Sequence, residues 1–144
     1  METVADIHLE QGMPRRALEN RRKALSLREE ARGTEKGELV SPLVMLGDAQ
    51  RAVDKPEDAQ RSYERALQIA EAVRGPADLA VVQPLTGLAE VRLELGDSSG
   101  SLRHAQRATR VAAERTAGPR PMGRARFAFA RALRATGEGP DQVR

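Results

Sequence analysis

Small and apolar residues in the stretch KPEDAQRSYERALQIAEAVRG stand at Ala59, Tyr63, Ala66, Leu67 and Ala70, three or four apart. That spacing collects them on one face of a helix. Pro56 opens the helix, which runs to about Val73, and Gly75 and Pro76 stop it. The preceding stretch PLVMLGDAQRAV places Leu43, Leu46, Gly47 and Gln50 near one face, with Ser41 as N-cap, Pro42 as first helical residue and a break at DKPED. Two helices joined by so short a break fold back as an antiparallel hairpin.

The same pattern returns. A shift of 42 residues carries Asp54 onto Gly96, Ala66 onto Ala108 and Ile69 onto Val111. The opposite shift carries Ala59, Ala66, Leu67, Ile69 and Gly75 onto Ala17, Ala24, Leu25, Leu27 and Gly33. Pro84, Leu85, Leu88 and Ala89 likewise follow Pro42, Leu43, Leu46 and Gly47, with LGDSSG as the turn and a second helix over Ser101 to about Arg115. In the first unit VADIHLEQG matches LGDAQRAVD, and a second helix runs from about Pro14 to Ala31. The last unit holds PMGRARFAFARALRATG, with Gly137 as its turn residue, and then only EGPDQVR. Residues 1–144 thus read as one helical-repeat domain with units at about 1–38 (partial), 39–80, 81–120 and 121–144 (partial). The half-units read as cut ends. The opening helix is expected to fray or to be covered by a second copy, and Phe129, Ala130 and Leu133 are expected to seat the last helix on the third unit as a cap.

This register resembles the tetratricopeptide-repeat family, in the longer, 42-residue form found in kinesin light chains and bacterial regulatory proteins. The family's small packing position in the first helix corresponds to Ala5, Gly47, Ala89 and Ala130, and its turn glycine to Gly12, Asp54, Gly96 and Gly137. Its small positions in the second helix correspond to Ala17, Ala59 and Ser101 and to Ala24, Ala66 and Ala108. The large aromatic between them corresponds to Arg21, Tyr63 and Ala105, so only Tyr63 follows the pattern. The resemblance implies an all-α fold, a right-handed superhelical solenoid of antiparallel helix pairs, whose first helices line a concave groove.

Composition agrees with thin, closely packed helices. Aromatic residues make up 2% of the chain, and alanine and leucine supply most of its apolar side chains. There is no cysteine, no N-terminal basic region followed by an apolar run, and no apolar stretch of membrane-spanning length, which predicts a soluble, cytoplasmic protein. Charge is uneven: residues 1–100 carry 14 basic and 18 acidic side chains, whereas residues 101–144 carry 10 arginines and 3 acids.

Candidate chemistry is sparse. His8 and His104 lie in different units without HExxH spacing, and neither has a serine-containing signature beside it. Lys36, in GTEKGE, lacks the glycine spacing of a phosphate-binding loop. Glu29 and Glu30 point about 100 degrees apart on a helix, as do Glu57 and Asp58, so neither pair converges on a substrate. The residues predict no catalytic site, no metal and no cofactor; any catalysis would reside in a domain outside this chain.

The expected function is a protein- or peptide-binding scaffold, part of a larger bacterial signalling or regulatory protein. If the resemblance holds, the concave positions are Val44, Asp48 and Arg51, then Thr86, Glu90 and Leu93, then Phe127, Arg131 and Arg134. Leu93 and Phe127 are the expected apolar anchors and Arg131 pairs with a ligand carboxylate, while Asp48 and Glu90 select a basic segment at the other end. Self-association through the incomplete terminal units is the alternative. Arg103, Arg107 and Arg110 form one helical stripe that raises nucleic acid as a rival ligand, but no zinc finger, stacking platform or basic zipper accompanies it.

Overall fold

A computed structural model of the protein describes the backbone of residues 4–31 and 35–137, with side chains from Gly12 onward. Among these residues there are six α-helices and no strand: α1 (Val4–Glu30), α2 (Val40–Ala52), α3 (Pro56–Arg74), α4 (Val82–Glu94), α5 (Ser98–Glu114) and α6 (Pro119–Thr136). Short 3-10 turns, Lys36–Leu39 and Leu79–Val81, lead into α2 and α4. Each helix packs on its neighbour in sequence, and α2 with α4 and α4 with α6 also touch. The first helices of successive hairpins therefore form one crowded inner layer, and α3 and α5 lie outside it. This is the stacked-hairpin solenoid expected from the repeat.

The core is a series of local clusters between adjacent layers, as nearest-neighbour stacking requires. Small residues let the helices approach: Ala59, Ala66, Ala105, Ala108, Ala112, Ala125 and Ala132 have no exposed surface. Tyr63 is the one large aromatic in the clusters' centre and is fully buried. Its ring lies between Gly47 of α2 and Gly87 of α4, where an added Cβ would come within 2.6 and 2.5 Å of Tyr63 Cε1. The two glycines, one in its own hairpin and one in the next, make room for the ring.

Three helix ends share one device. The amides of Lys55, Asp97 and Ala117 each donate to a carbonyl five residues back, at 2.8 Å, and the residue before each lies in the left-handed region: Asp54 at φ 59, Gly96 at 86, Thr116 at 55. These are Schellman closures. Aspartate tolerates that conformation better than most residues and glycine does so freely, but a β-branched threonine is strained there. Thr116→Gly is therefore expected to stabilise the protein by about 0.5–1 kcal/mol, the relief of strain exceeding glycine's entropic cost. A higher urea midpoint at unchanged slope would show it.

Several boundaries and faces differ from the sequence expectation. Helix α2 starts at Val40 with Leu39 at its N-cap, so Ser41 lies inside the first turn; the 3-10 turn ahead supplies the entry that a serine cap would have given. Helix α5 starts at Ser98, not Ser101, because Asp97 caps it by accepting from the Gly100 amide at 2.9 Å. Arg92 also reaches Asp97 at 3.0 Å, and the amide and guanidinium together hold that carboxyl below its ordinary range.

The first unit is not a hairpin with a turn at Gly12. Helix α1 runs unbroken for 27 residues through Gly12 and Pro14; among the described residues it packs chiefly on α2 and the 3-10 turn before it, and Glu29 near its end pairs with Arg65 of α3 at 2.7 Å. The expected fraying of its opening, and the position of Ala5, fall on side chains outside the described residues. Its packing face is also rotated: Leu18 and Leu25 are buried, while Ala17, Ala24 and Arg21 are exposed. A helix covered on one side gains more from leucines, whereas small residues suit α3 and α5, which are pressed from both sides.

Helix α6 does pack on α5 through Phe129 and Leu133, but Ala130 is exposed. Its counterpart Ala89 is covered by α5, the second helix of its own hairpin, and no such helix follows α6 among the described residues.

Candidate interaction surface

The inner helices carry a polar stripe: Asp48 and Arg51 on α2, Glu90, Leu93 and Glu94 on α4, and Arg124, Phe127, Arg131 and Arg134 on α6. Spacing by three and four keeps each group on one face. Charges alternate across the helices. Arg51 pairs with Glu90, and it reaches Glu94 Oε1 from Nη2 at 2.5 Å and from Nε at 2.9 Å. Arg124 grips the same Glu90 through Nε at 3.2 Å and Nη2 at 3.1 Å, and its Nη2 also meets Asp48 Oδ1 at 3.3 Å. The Tyr63 hydroxyl donates to Asp48 from below. Burial, with the Asp48 carboxylate next, pushes that phenol above its ordinary range. For Arg51 and Arg124 burial favours the neutral form, and their acidic partners outweigh it, so both are held firmly cationic.

The expected groove residues separate into three groups. Val44 and Thr86 are almost wholly buried, at 4% and 2% exposed, and the Thr86 hydroxyl donates to the Val82 carbonyl at 2.8 Å. Asp48, Arg51 and Glu90 lie together on the inner face but are committed to one another and to Arg124. Phe127, 63% exposed, carries the Arg131 guanidinium 5.9 Å from its ring centre, and Arg131 and Arg134 are exposed beside it. Leu93 is partly buried, and Leu95, just past the end of α4, is 37% exposed.

Arg124 was absent from the expected set. It lies one turn before Phe127 on the same face, so the stripe's own spacing, continued backward, would have found it.

The arginine stripe on α5 is likewise divided. Arg103 and Arg110 are exposed, but Arg107 reaches Glu71 at 3.4 Å and the Pro76 carbonyl at 3.0 Å, tying α5 to the end of α3. His104, between them, is half-buried, and burial together with Arg92, Arg103 and Arg107 holds its pKa below the ordinary value. His8 lies outside the described side chains. Among the described residues no group of three or more His, Cys, Asp or Glu is placed to hold a metal ion, and no helix is long and apolar enough to cross a membrane.

Two clefts open at the end of the inner layer where α2 and α4 begin. The larger, about 590 Å³, lies between the 3-10 turns, the end of α3 and the α5–α6 connection; the smaller, about 240 Å³, reaches Thr86 and Arg124. Val82, Gln83 and Pro121 line both, so the two adjoin.

Stacked helical hairpins with a charged inner face define a helical-repeat interaction module. The tetratricopeptide-repeat family model matches residues 1–72 and again 43–114, and the chain belongs to that family. Comparison with curated proteins gives no match. Among solved structures the chain is similar to the crystal structure of BtubC (BKLC) from P. vanneervenii, at 18% identity and a TM-score of 0.68. The likeness covers 98% of this chain and 63% of that one, and at this identity it speaks for the fold alone.

Proposed function

We propose that the chain is a non-catalytic, peptide-binding scaffold of the longer, kinesin-light-chain-like repeat type, working in the bacterial cytoplasm as part of a larger signalling or regulatory protein. The two family matches begin 42 residues apart, at residues 1 and 43, which favours the longer repeat. The observation that carries the binding role is the uneven use of charge on the inner face. Asp48, Arg51 and Glu90 are spent on one another and on Arg124, whereas Phe127, Arg131 and Arg134 on α6 stand exposed and form no ion pair among the described residues.

The ligand favoured by this arrangement differs from an acidic-to-basic peptide read along the whole groove. Asp48 and Glu90 already have guanidinium partners, so a basic segment gains little from them. An acidic segment with an apolar residue fits the α6 end, its carboxylate forked by Arg131 or Arg134 and its apolar side chain on Phe127 and Leu93. Catalysis in the parent protein belongs to another domain.

Calorimetric titration of a partner recovered from the source cell tests this placement. Arg131→Ala and Leu93→Ala are each expected to weaken binding by about 1–2 kcal/mol with little change in thermal midpoint. Unchanged affinity in both variants would reject the site, and an equal loss of stability would assign the residues to the fold.

A further inference from the structure

The larger cleft lies at the edge of the solenoid, apart from the Phe127–Arg134 surface, and its chemistry is of two kinds. Its floor is apolar: Ala70 and Val82 are buried, and Val73 and Leu79 stand over them 49% and 41% exposed. Its charged rim has Arg28 at the end of α1 and Arg74 at the end of α3, against the single acid Glu38. The adjoining smaller cleft adds Arg120. Arg28, Arg74 and Arg120 form no ion pair among the described residues, unlike Arg51, Arg107 and Arg124, which the fold has already used.

At about 590 Å³ the space falls within the range of about 300–1,000 Å³ typical of ligand sites. Uncommitted guanidinium groups above an apolar floor complement a ligand that is apolar at its centre and anionic at its flanks. Backbone amides contribute little to anion binding here, because Pro119 and Pro121 remove two of the first amides of α6. No aromatic side chain lines either cleft, so there is no platform on which a nucleic-acid base would stack.

We infer that this cleft is a second docking site, for a short acidic peptide segment whose central apolar side chain sits over Ala70 and Val82 while its carboxylates pair with Arg28 and Arg74. The apolar contact fixes the position of the segment, and the guanidinium forks select its charge. Peptide engaged here would run on along Gln83 toward Arg120, since the two clefts adjoin at that residue.

The probe is a fluorescein-labelled Glu-Asp-Leu-Glu-Asp peptide, titrated by anisotropy against the full chain. Arg74→Glu is expected to weaken binding at least tenfold and Val73→Asp at least fivefold; both side chains are exposed, so the fold tolerates the changes. Serine in place of the peptide's leucine is expected to weaken it at least fivefold. Leu93→Ala and Arg131→Ala remove only the share of the probe held at the α6 surface and are expected to leave the cleft's own response to the peptide in place, which separates the two sites. Amide shifts on titration should centre on Gly37, Ala80 and Gly118, a readout independent of any variant. Equal binding of the serine peptide, tighter binding of an oligothymidine, or shifts confined to Phe127 to Arg134 would overturn the assignment. So would a concentration-dependent dimer dissociated by Arg74→Glu, which would give the cleft to a second copy.

Discussion

Tyr63→Ala is expected to destabilise the protein by about 3–5 kcal/mol, the range seen when a large aromatic is removed from a packed core. The ring is fully buried between Gly47 and Gly87, and neither glycine has a side chain to refill the space. Because the cavity joins α2, α3 and α4, its cost is shared by two hairpins and lowers the cooperativity between them. Urea unfolding followed by circular dichroism measures the loss. Tyr63→Phe keeps the ring and removes only the hydrogen bond to Asp48, so it is expected to cost about 1 kcal/mol. Gly87→Ala is destabilising for the reverse reason, by about 1–3 kcal/mol, since its methyl group meets the ring. The double variant Gly87→Ala, Tyr63→Ala should lose less than the sum, because the methyl then enters the vacated space. Additive losses would show that the ring and the glycine do not share one packing site.

Tyr63 also shows how far the sequence could be read. The resemblance to the repeat family marked it as the one position keeping the family's aromatic, and marked Gly47 separately as a small packing position; that the two meet is seen only in the structure. Gly87 escaped notice because it belongs to the next hairpin and has no counterpart in the repeat pattern: its equivalent in α2 is Met45. Local periodicity identifies the face a helix buries but not which neighbour meets it. The same limit explains α1. Ala17 and Ala24 obey the register yet lie exposed, while Leu18 and Leu25 are buried, because a helix packed mainly on one side turns its larger side chains inward. The left-handed helix ends were legible at Gly96 and Gly137, and at Asp54 through its alignment with Gly96. Thr116 has no glycine counterpart and was not.

The inner surface was legible as a face and not as a circuit. Asp48, Arg51 and Glu90 were found by spacing, but their pairing with one another through Arg124 depends on how closely α2, α4 and α6 stack, which no single-helix pattern contains. The edge clefts were less legible still, since their walls come from linkers and helix ends that share no period.

Glu90 is the centre of that circuit, and Glu90→Ala is expected to destabilise the protein by about 1–3 kcal/mol, less than a fully buried pair would give because its arginine partners retain some exposure. Its own side chain is 10% exposed and is held by Arg51 and by Arg124, so removing it leaves two cations facing each other across α4. Glu94→Ala should cost under about 0.5 kcal/mol, because Glu94 is 35% exposed and bonds only Arg51. Glu90→Gln keeps the volume and some hydrogen bonding, and its loss is expected to fall between the two. A double-mutant cycle of Glu90→Ala with Arg51→Ala should return a coupling of at least about 0.5 kcal/mol that persists in 0.5 M salt, since these two side chains are only 10% and 20% exposed and their pairing is poorly screened. A coupling that vanishes in salt would reduce the network to a solvated surface array. In the Glu90→Ala protein Arg124 keeps only its 3.3 Å contact with Asp48 and stands beside Gln83 at the mouth of the smaller cleft. The acidic probe peptide is accordingly expected to bind this less stable variant more tightly than the native chain, because binding and folding draw on the same guanidinium.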